Sequence, residues 1–275
     1  MRTLFKRTLT GLLFLVIVVG LLMLPYGLAA LLTFLFCGAS FEYFRLRVPG
    51  KFLRSKICVV AAGLVAIFVF FCHWHCGLEL RWALAGFVPL LLAAFFMLLD
   101  GAEGSEFSSD VFFPLVYFLL PILTMFPLAF PVQGYEFRLL LGIFILTWLS
   151  DVGAYILGMG YGQRTGARKL FPAISPKKSW AGVFGGVLFS MLTAWGLYAL
   201  GGSEFFALPH WLALGAIVTV VGICGDLFES LLKRNAGVKD SGRIMPGHGG
   251  LLDRFDDVFF VMPAIFVYLK LFSLI

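Results

Sequence analysis

Charge is what this chain has least of: only 13% of its 275 residues are Asp, Glu, Lys or Arg. About a quarter of residues are charged in an ordinary soluble domain, so with 61% hydrophobic residues and 32 Phe a water-facing globule is excluded. The five cysteines, Cys37, Cys58, Cys72, Cys76 and Cys224, include no Cys-x-x-Cys pair and read as small core residues. Cys72, His73, His75 and Cys76 invite a metal reading, but no distant partner completes such a site, and an interfacial turn is the simpler account. There is no low-complexity tail, no strong short repeat and no stretch with the composition of a soluble domain. The formal charge of +6 does not point to nucleic acid, because the positive residues flank apolar runs in alternate loops.

What is abundant is long apolar sequence. The runs fall at about 9–24, 28–44, 57–75, 82–99, 111–130, 137–158, 181–200, 211–232 and 257–274. Several reach the roughly 20 residues that cross a hydrocarbon core. The expected fold is therefore all-α, a polytopic integral membrane protein with about nine transmembrane helices. Arg2, Lys6 and Arg7 before the first run resemble the start of a signal peptide, but no small-residue cleavage site follows, so a retained first helix is expected. Eighteen of the 21 Lys and Arg lie at the N-terminus or in 45–56, 159–180 and 233–255. Nine crossings place all four segments on one side, so the positive-inside rule puts the N-terminus in the cytoplasm and the C-terminus opposite. Segment 100–110, a loop on this reading with Asp100, Glu103, Glu106, Asp110 and no positive charge, fits that side poorly, although acidic residues carry little topological weight.

Prolines 114, 121 and 127 within apolar sequence predict a kinked helix near the middle of the chain. Composition divides the chain into 1–130, a hydrophobic membrane region nearly free of polar groups within its spans, and 137–275, which holds most of the candidate chemistry.

That chemistry is concentrated in Gly225–Asp257, where six carboxylates and five fixed positive charges stand between apolar runs. Such a cluster is costly at membrane depth unless it works. Asp226, Glu229 and Lys233 share roughly one helical face, and Asp253 and Asp256 sit one turn apart at the start of the last run. Two acidic helix ends suit Mg²⁺ bound jointly by protein and substrate phosphates. Between them, Gly249 and Gly250 permit close backbone approach to a ligand, and His248 can donate a hydrogen bond without permanent charge. A charged loop is the bland alternative, and it accounts for Lys239 and Arg243 better than for PGHGG followed by DRFD. Upstream, Asp151 lies within a helix, facing either an aqueous cavity or a helix–helix hydrogen bond. Ser175, Lys177, Lys178 and Ser179 precede a helix start at which Ser179 is a candidate N-cap. Positive charge, hydroxyls and free helix amides together make a phosphate cradle, with a topology signal as the plainer reading of the basic residues.

These residues closely resemble the bacterial phosphatidate cytidylyltransferase (CDP-diglyceride synthase) family. The resemblance rests on SLLKRNAGVKDSGRIMPGHGGLLDRFD, supported by GDLFES, SPKKSWAG and SDVGAY, and runs over roughly 137–275. It implies transfer of a cytidylyl group from CTP to phosphatidic acid at a cytoplasm-facing site in the inner membrane, Mg²⁺ with K⁺ at an adjacent site, and a homodimer. It further implies metal ligation by Asp226, Glu229, Asp253 and Asp256, with Lys233 and His248 joining Asp226, Asp253 and Asp256 as catalytic groups. Substrate contacts fall to Asp151, Ser175, Lys177, Lys178, Ser179, Arg234, Lys239, Asp240, Arg243, Gly249, Gly250 and Arg254. One position departs from the family pattern, since Ala181 stands where a Glu is expected. A CDP-alcohol phosphatidyltransferase is disfavoured by the lack of its DGxxAR pattern. An ion-coupled transporter using Asp151 and Asp226 is the nonenzymatic alternative.

Overall fold

A computed structural model describes residues 2–131, 134–164, 167–242 and 249–275. Each of the nine apolar runs falls on a helix among these residues. Seven stretches are long and apolar enough to cross a membrane: Pro25–Arg47, Gly50–Cys76, Leu80–Leu99, Gly101–Ala129, Phe137–Gly160, Trp180–Ala199 and Leu208–Asn235. The first and last runs fall short of that standard. The described apolar stretch of α1 (Arg2–Leu22) is Gly11–Leu22, and α11 (Val258–Leu271) has 14 residues, about 21 Å at 1.5 Å per residue. The chain is thus a multi-pass helical membrane protein. Many large apolar side chains on these helices are exposed, including Phe68, Leu91, Phe184 and Trp195, as a lipid-facing surface requires.

The chain divides into two compact units. The first comprises residues 1–137 and Asp240–Arg254, and contains α1, α2 (Pro25–Arg47), α3 (Leu53–Cys76), α4 (Phe87–Leu99), α5 (Gly101–Pro114), α6 (Leu120–Ala129) and all but the last residue of the short α10 (Leu252–Phe255). Its core is aromatic and leucine-rich: Leu28, Leu32, Leu35 and Phe36 of α2 are buried, as are Phe118 and Phe126. Phe36 packs where Gly63 of α3 has no side chain, and a Cβ there would collide with the ring.

The acidic segment 100–110, expected as a loop, is helical and forms most of α5. Two of its four carboxylates have partners within the unit. Asp110 accepts a 2.7 Å hydrogen bond from Tyr43 and lies 3.4 Å from Arg47, while Glu103 pairs with Lys51. The acidic segment therefore stands at the same end of the unit as the basic segment 45–56, which removes the misfit that its composition suggests. After Pro114, which cannot donate a backbone hydrogen bond, the helix continues as a π turn, Leu115–Leu119, before α6. The π turn is a local departure from α geometry directly after the first of the three prolines.

The Cys72–Cys76 turn ends α3. The ring of His73 is 2.8 Å from the Leu78 carbonyl, His75 is 3.2 Å from Tyr26 Oη, and Gly77 closes the helix at φ 77°. That is the expected turn of small and amphipathic residues.

The second unit comprises 138–239 and 255–275, with most of α7 (Phe137–Gly160), α8 (Trp180–Ala199), α9 (Leu208–Asn235) and α11. One feature departs from an all-helical plan: a two-stranded antiparallel hairpin, β1 (Lys169–Phe171) and β2 (Ser175–Ser179), between α7 and α8. Two prolines, Pro172 in the turn and Pro176 in β2, keep this segment out of a helix. Helices α7 and α8 approach through small residues, and a Cβ at Gly153 or Gly185 would strike the other's carbonyl oxygen. Helix α9 joins them through buried hydroxyls: Thr219 Oγ1 is 3.1 Å from Ser150 Oγ on α7 and 2.9 Å from Ser190 Oγ on α8.

Candidate functional site

In the second unit the hairpin carries the basic residues to the start of α8. Ser179 has extended backbone angles and its hydroxyl accepts from Gly182 N at 3.3 Å, so it is the N-cap that the sequence suggests. The cap is packed closely, since a Cβ at Gly162 would occupy the space of the Ser179 hydroxyl. Gln163 ties the loop to β2 by donating to the Lys177 carbonyl at 2.8 Å, and Lys169 donates to Gly162 O at 2.8 Å and Gln163 Oε1 at 3.0 Å. Two of the loop's cations are therefore distinguishable by neighbourhood: Lys169 in β1 reaches back to Gly162 and Gln163, whereas Lys177 in β2 is exposed. Ser175 begins β2, paired with Phe171. Position 181, where the family pattern has Glu, is in the first turn of α8 and brings no carboxylate to the helix N-terminus.

Lys178 points from β2 to α9, where its Nζ lies 2.5 Å from Asp226 Oδ2. One turn along, buried Glu229 pairs with Lys233 at i+4. The expected face of Asp226, Glu229 and Lys233 is thus a real face, and each carboxylate meets a lysine. Ser230 adds a 3.3 Å contact to Asp226 Oδ1. Gly225 brings α9 against the turn at Asp256 and Asp257, and a side chain at 225 would collide with that backbone. Burial, then the neighbouring charges of Asp257, Asp226, Glu229 and Asp151, hold the Asp256 carboxyl well above the usual carboxylate range. Those causes identify one crowded acidic neighbourhood. Asp151 belongs to it from an exposed position on α7. Arg234 donates to Val238 O at 3.0 Å and closes the end of α9, with exposed Lys239 just beyond.

Asp253 falls in the first unit, within α10. Its Oδ2 accepts from Gly250 N at 2.7 Å and from Ser241 N and Oγ, each at 3.0 Å. Gly249 has φ 86°, a left-handed conformation that glycine adopts without strain, and lies against the Asp253 carboxylate. Asp240 and Arg254 are exposed in the same segment. Arg243 and His248 lie outside the described residues.

Glu42 of α2 is not among the expected site residues, and it stands in a region, 1–130, whose composition suggests spans nearly free of polar groups. It is 2% exposed. Its Oε1 accepts from Leu251 N at 2.9 Å, and its Oε2 from Leu252 N at 3.0 Å and Ser241 Oγ at 2.9 Å. A lone carboxylate within an apolar run is the signal that could have found it.

The donors in the acidic neighbourhood are all oxygen, the chemistry that Mg²⁺ prefers. Among the described residues, no group of three or more His, Cys, Asp or Glu is gathered as a ligand shell.

Helical spans and a basic strand set against an acidic helix define the class: a multi-pass membrane protein with a polar site built at helix ends. The chain belongs to the Cytidylyltransferase family, which it matches over residues 5–272. It is similar to the phosphatidate cytidylyltransferase of Staphylococcus epidermidis, with 46% identity over 139 residues, 48% of this chain and 49% of that protein. The enzyme of the same name from Staphylococcus aureus strain COL is 44% identical over 129 residues, 46% of each chain. That of Staphylococcus haemolyticus is 45% identical over 128 residues, again 46% of each. The chain spans about half the length of the curated relatives that it matches.

Proposed function

We propose that this protein transfers a cytidylyl group from CTP to phosphatidic acid, producing CDP-diacylglycerol and pyrophosphate on the cytoplasmic side of the inner membrane. The observation that carries the reading is the Lys178–Asp226 pair. It sets the basic strand before α8 against the acidic face of α9, in a chain whose family is named for cytidylyl transfer.

In the proposed reaction an oxygen of the lipid phosphate attacks the α-phosphorus of CTP. A new P–O bond forms as the bond to the bridging oxygen of the β-phosphate breaks, and that electron pair leaves on pyrophosphate. The nucleophile is already an anion, so no strong protein base is required. The work left to the chain is positioning and neutralisation of charge. Lys177 and Lys178, with Ser179 and the first amides of α8, receive phosphate oxygens. Lys233 and Arg234 balance charge at the end of α9, and Lys239, Asp240, Arg243, His248, Gly249, Gly250 and Arg254 remain proposed substrate contacts. Asp226, Glu229 and Asp256 would hold Mg²⁺, and Asp253 stays a proposed ligand with one oxygen engaged by Ser241 and Gly250. Magnesium, when bound, supplies Lewis-acid neutralisation of the phosphates. K⁺ and a homodimer rest on the family resemblance alone.

The test is purified protein with labelled CTP, phosphatidic acid and Mg²⁺. The expected products are lipid-linked CMP and pyrophosphate in equal amounts. Absence of both across several acyl chains, detergents and divalent cations refutes the proposal. Ion-coupled uptake by protein that gives no such products would favour the transporter alternative instead.

A further inference from the structure

We propose that Glu42 is a positioning residue of the cytidylyl-transfer site, acting through Asp253. The inference rests on the function proposed above. Its starting observation is a buried carboxylate in a membrane helix whose three acceptor contacts all go to one distant segment. Leu251 N, Leu252 N and Ser241 Oγ donate to it at 2.9, 3.0 and 2.9 Å. All four residues are nearly inaccessible: Glu42 is 2% exposed, Leu251 1%, and Leu252 and Ser241 3% each.

The contact extends to the proposed ligand. Ser241 Oγ is 2.9 Å from Glu42 Oε2 and 3.0 Å from Asp253 Oδ2, so one hydroxyl hydrogen is shared between two carboxylates. Asp253 is further fixed by the amides of Ser241 and Gly250. A Cβ at Gly242 or Gly250 would collide with the Glu42 carboxylate, which gives those glycines a reason independent of any ligand. Mere burial would be served better by Leu at position 42. A carboxylate there is useful because two oxygens can hold two successive amides and a hydroxyl at fixed spacing, which sets the direction in which Asp253 leaves α10.

The test compares full-length wild type with Glu42→Gln, Glu42→Asp and Ser241→Ala. Gln keeps the size but turns one acceptor into a donor facing donors. Amide hydrogen exchange of the 249–255 peptide reads the clamp, and CTP turnover reads its consequence. The expected result for Glu42→Gln is at least tenfold faster exchange at Leu251 and Leu252, and a kcat lowered roughly 100-fold with KM for CTP within threefold. Glu42→Asp recovers part of the kcat, because it restores two acceptors on a shorter arm. Unchanged exchange overturns the clamp, and faster exchange with unchanged kcat overturns the positioning role. If Glu42→Gln does not fold, Ser241→Ala decides, with the same kcat-selective loss expected and its absence refuting the proposal. If the wild type gives no turnover, the proposed function fails, and the positioning role falls with it. The exchange measurement then decides the clamp alone.

Discussion

Replacing Lys178 with Met separates a catalytic cation from a structural one. Its Nζ lies 2.5 Å from Asp226 Oδ2, which at an effective dielectric constant near 20 corresponds to about 7 kcal/mol of bare attraction. The side chains are 20% and 44% exposed, so solvent and the desolvation cost reduce the net contribution to folding to about 1 kcal/mol. The stability loss in Lys178→Met should therefore be small. The loss in turnover should not be, because removing a group aimed at developing phosphate charge costs about 3–4 kcal/mol, or roughly 10²–10³-fold. The assay is kcat/KM for CTP in purified protein, alongside the thermal unfolding midpoint. Asp226→Asn and the double variant complete a cycle read in the unfolding midpoint, where the coupling measures the ion pair alone. A Lys178→Met protein retaining more than about a third of wild-type kcat/KM, far above the expected loss, would refute the assignment.

Three further outcomes follow from the geometry. Gly185→Leu forces a side chain into the Gly153 carbonyl and should destabilise the α7–α8 contact by about 1–3 kcal/mol, whereas Gly196→Ala, with open space at its Cβ, should not; equal midpoints would refute the close approach. Burial, and after it the charges of Asp257, Asp226, Glu229 and Asp151, raise the Asp256 pKa on folding, so its favourable contribution is complete below the unfolded value near 4 and is lost as pH rises. In metal-free buffer Asp256→Asn should therefore raise the unfolding midpoint at pH 7, with the gain shrinking towards pH 4, and a gain independent of pH refutes the sign. Cysteines placed at Gly50 and Ala102 in a cysteine-free background should react with an impermeant reagent from the same side of sealed vesicles, since Arg47–Asp110 and Lys51–Glu103 join the two segments; labelling from opposite sides would refute that.

Periodic and end-marking signals are legible in the amino-acid order itself. The apolar runs map onto helices because their length and composition permit little else in lipid. Ser179 is readable as a cap because a hydroxyl residue directly precedes an apolar run, and the 226–229–233 spacing defines a face in any α-helix. Pairing across the chain is not readable in this way. Nothing local in SPKKS says that Lys178 meets Asp226 rather than Glu229. Segment 100–110 resembles a loop because its acidic residues lack basic neighbours in sequence, and their partners, Tyr43, Arg47 and Lys51, lie on or beside α2. Glu42 is hidden for a different reason. The rule that singles out Asp151, an ionisable residue inside an apolar span, applies to it equally, but nearby Arg45 and Arg47 give it the look of the end of a basic segment.

The Glu42 contacts also bear on the order in which the protein is made. Its amide partner Leu251 lies 209 positions further along the chain. At about 5–20 residues per second, synthesis of that interval takes roughly 10–40 s. For nearly all of it, until Ser241 is made, α2 carries an ionisable group in apolar surroundings with none of these three partners present. The first unit is therefore finished from the far end of the polypeptide. A nascent chain halted before Ser241 would hold an N-terminal bundle whose Glu42 lacks all three of these donors.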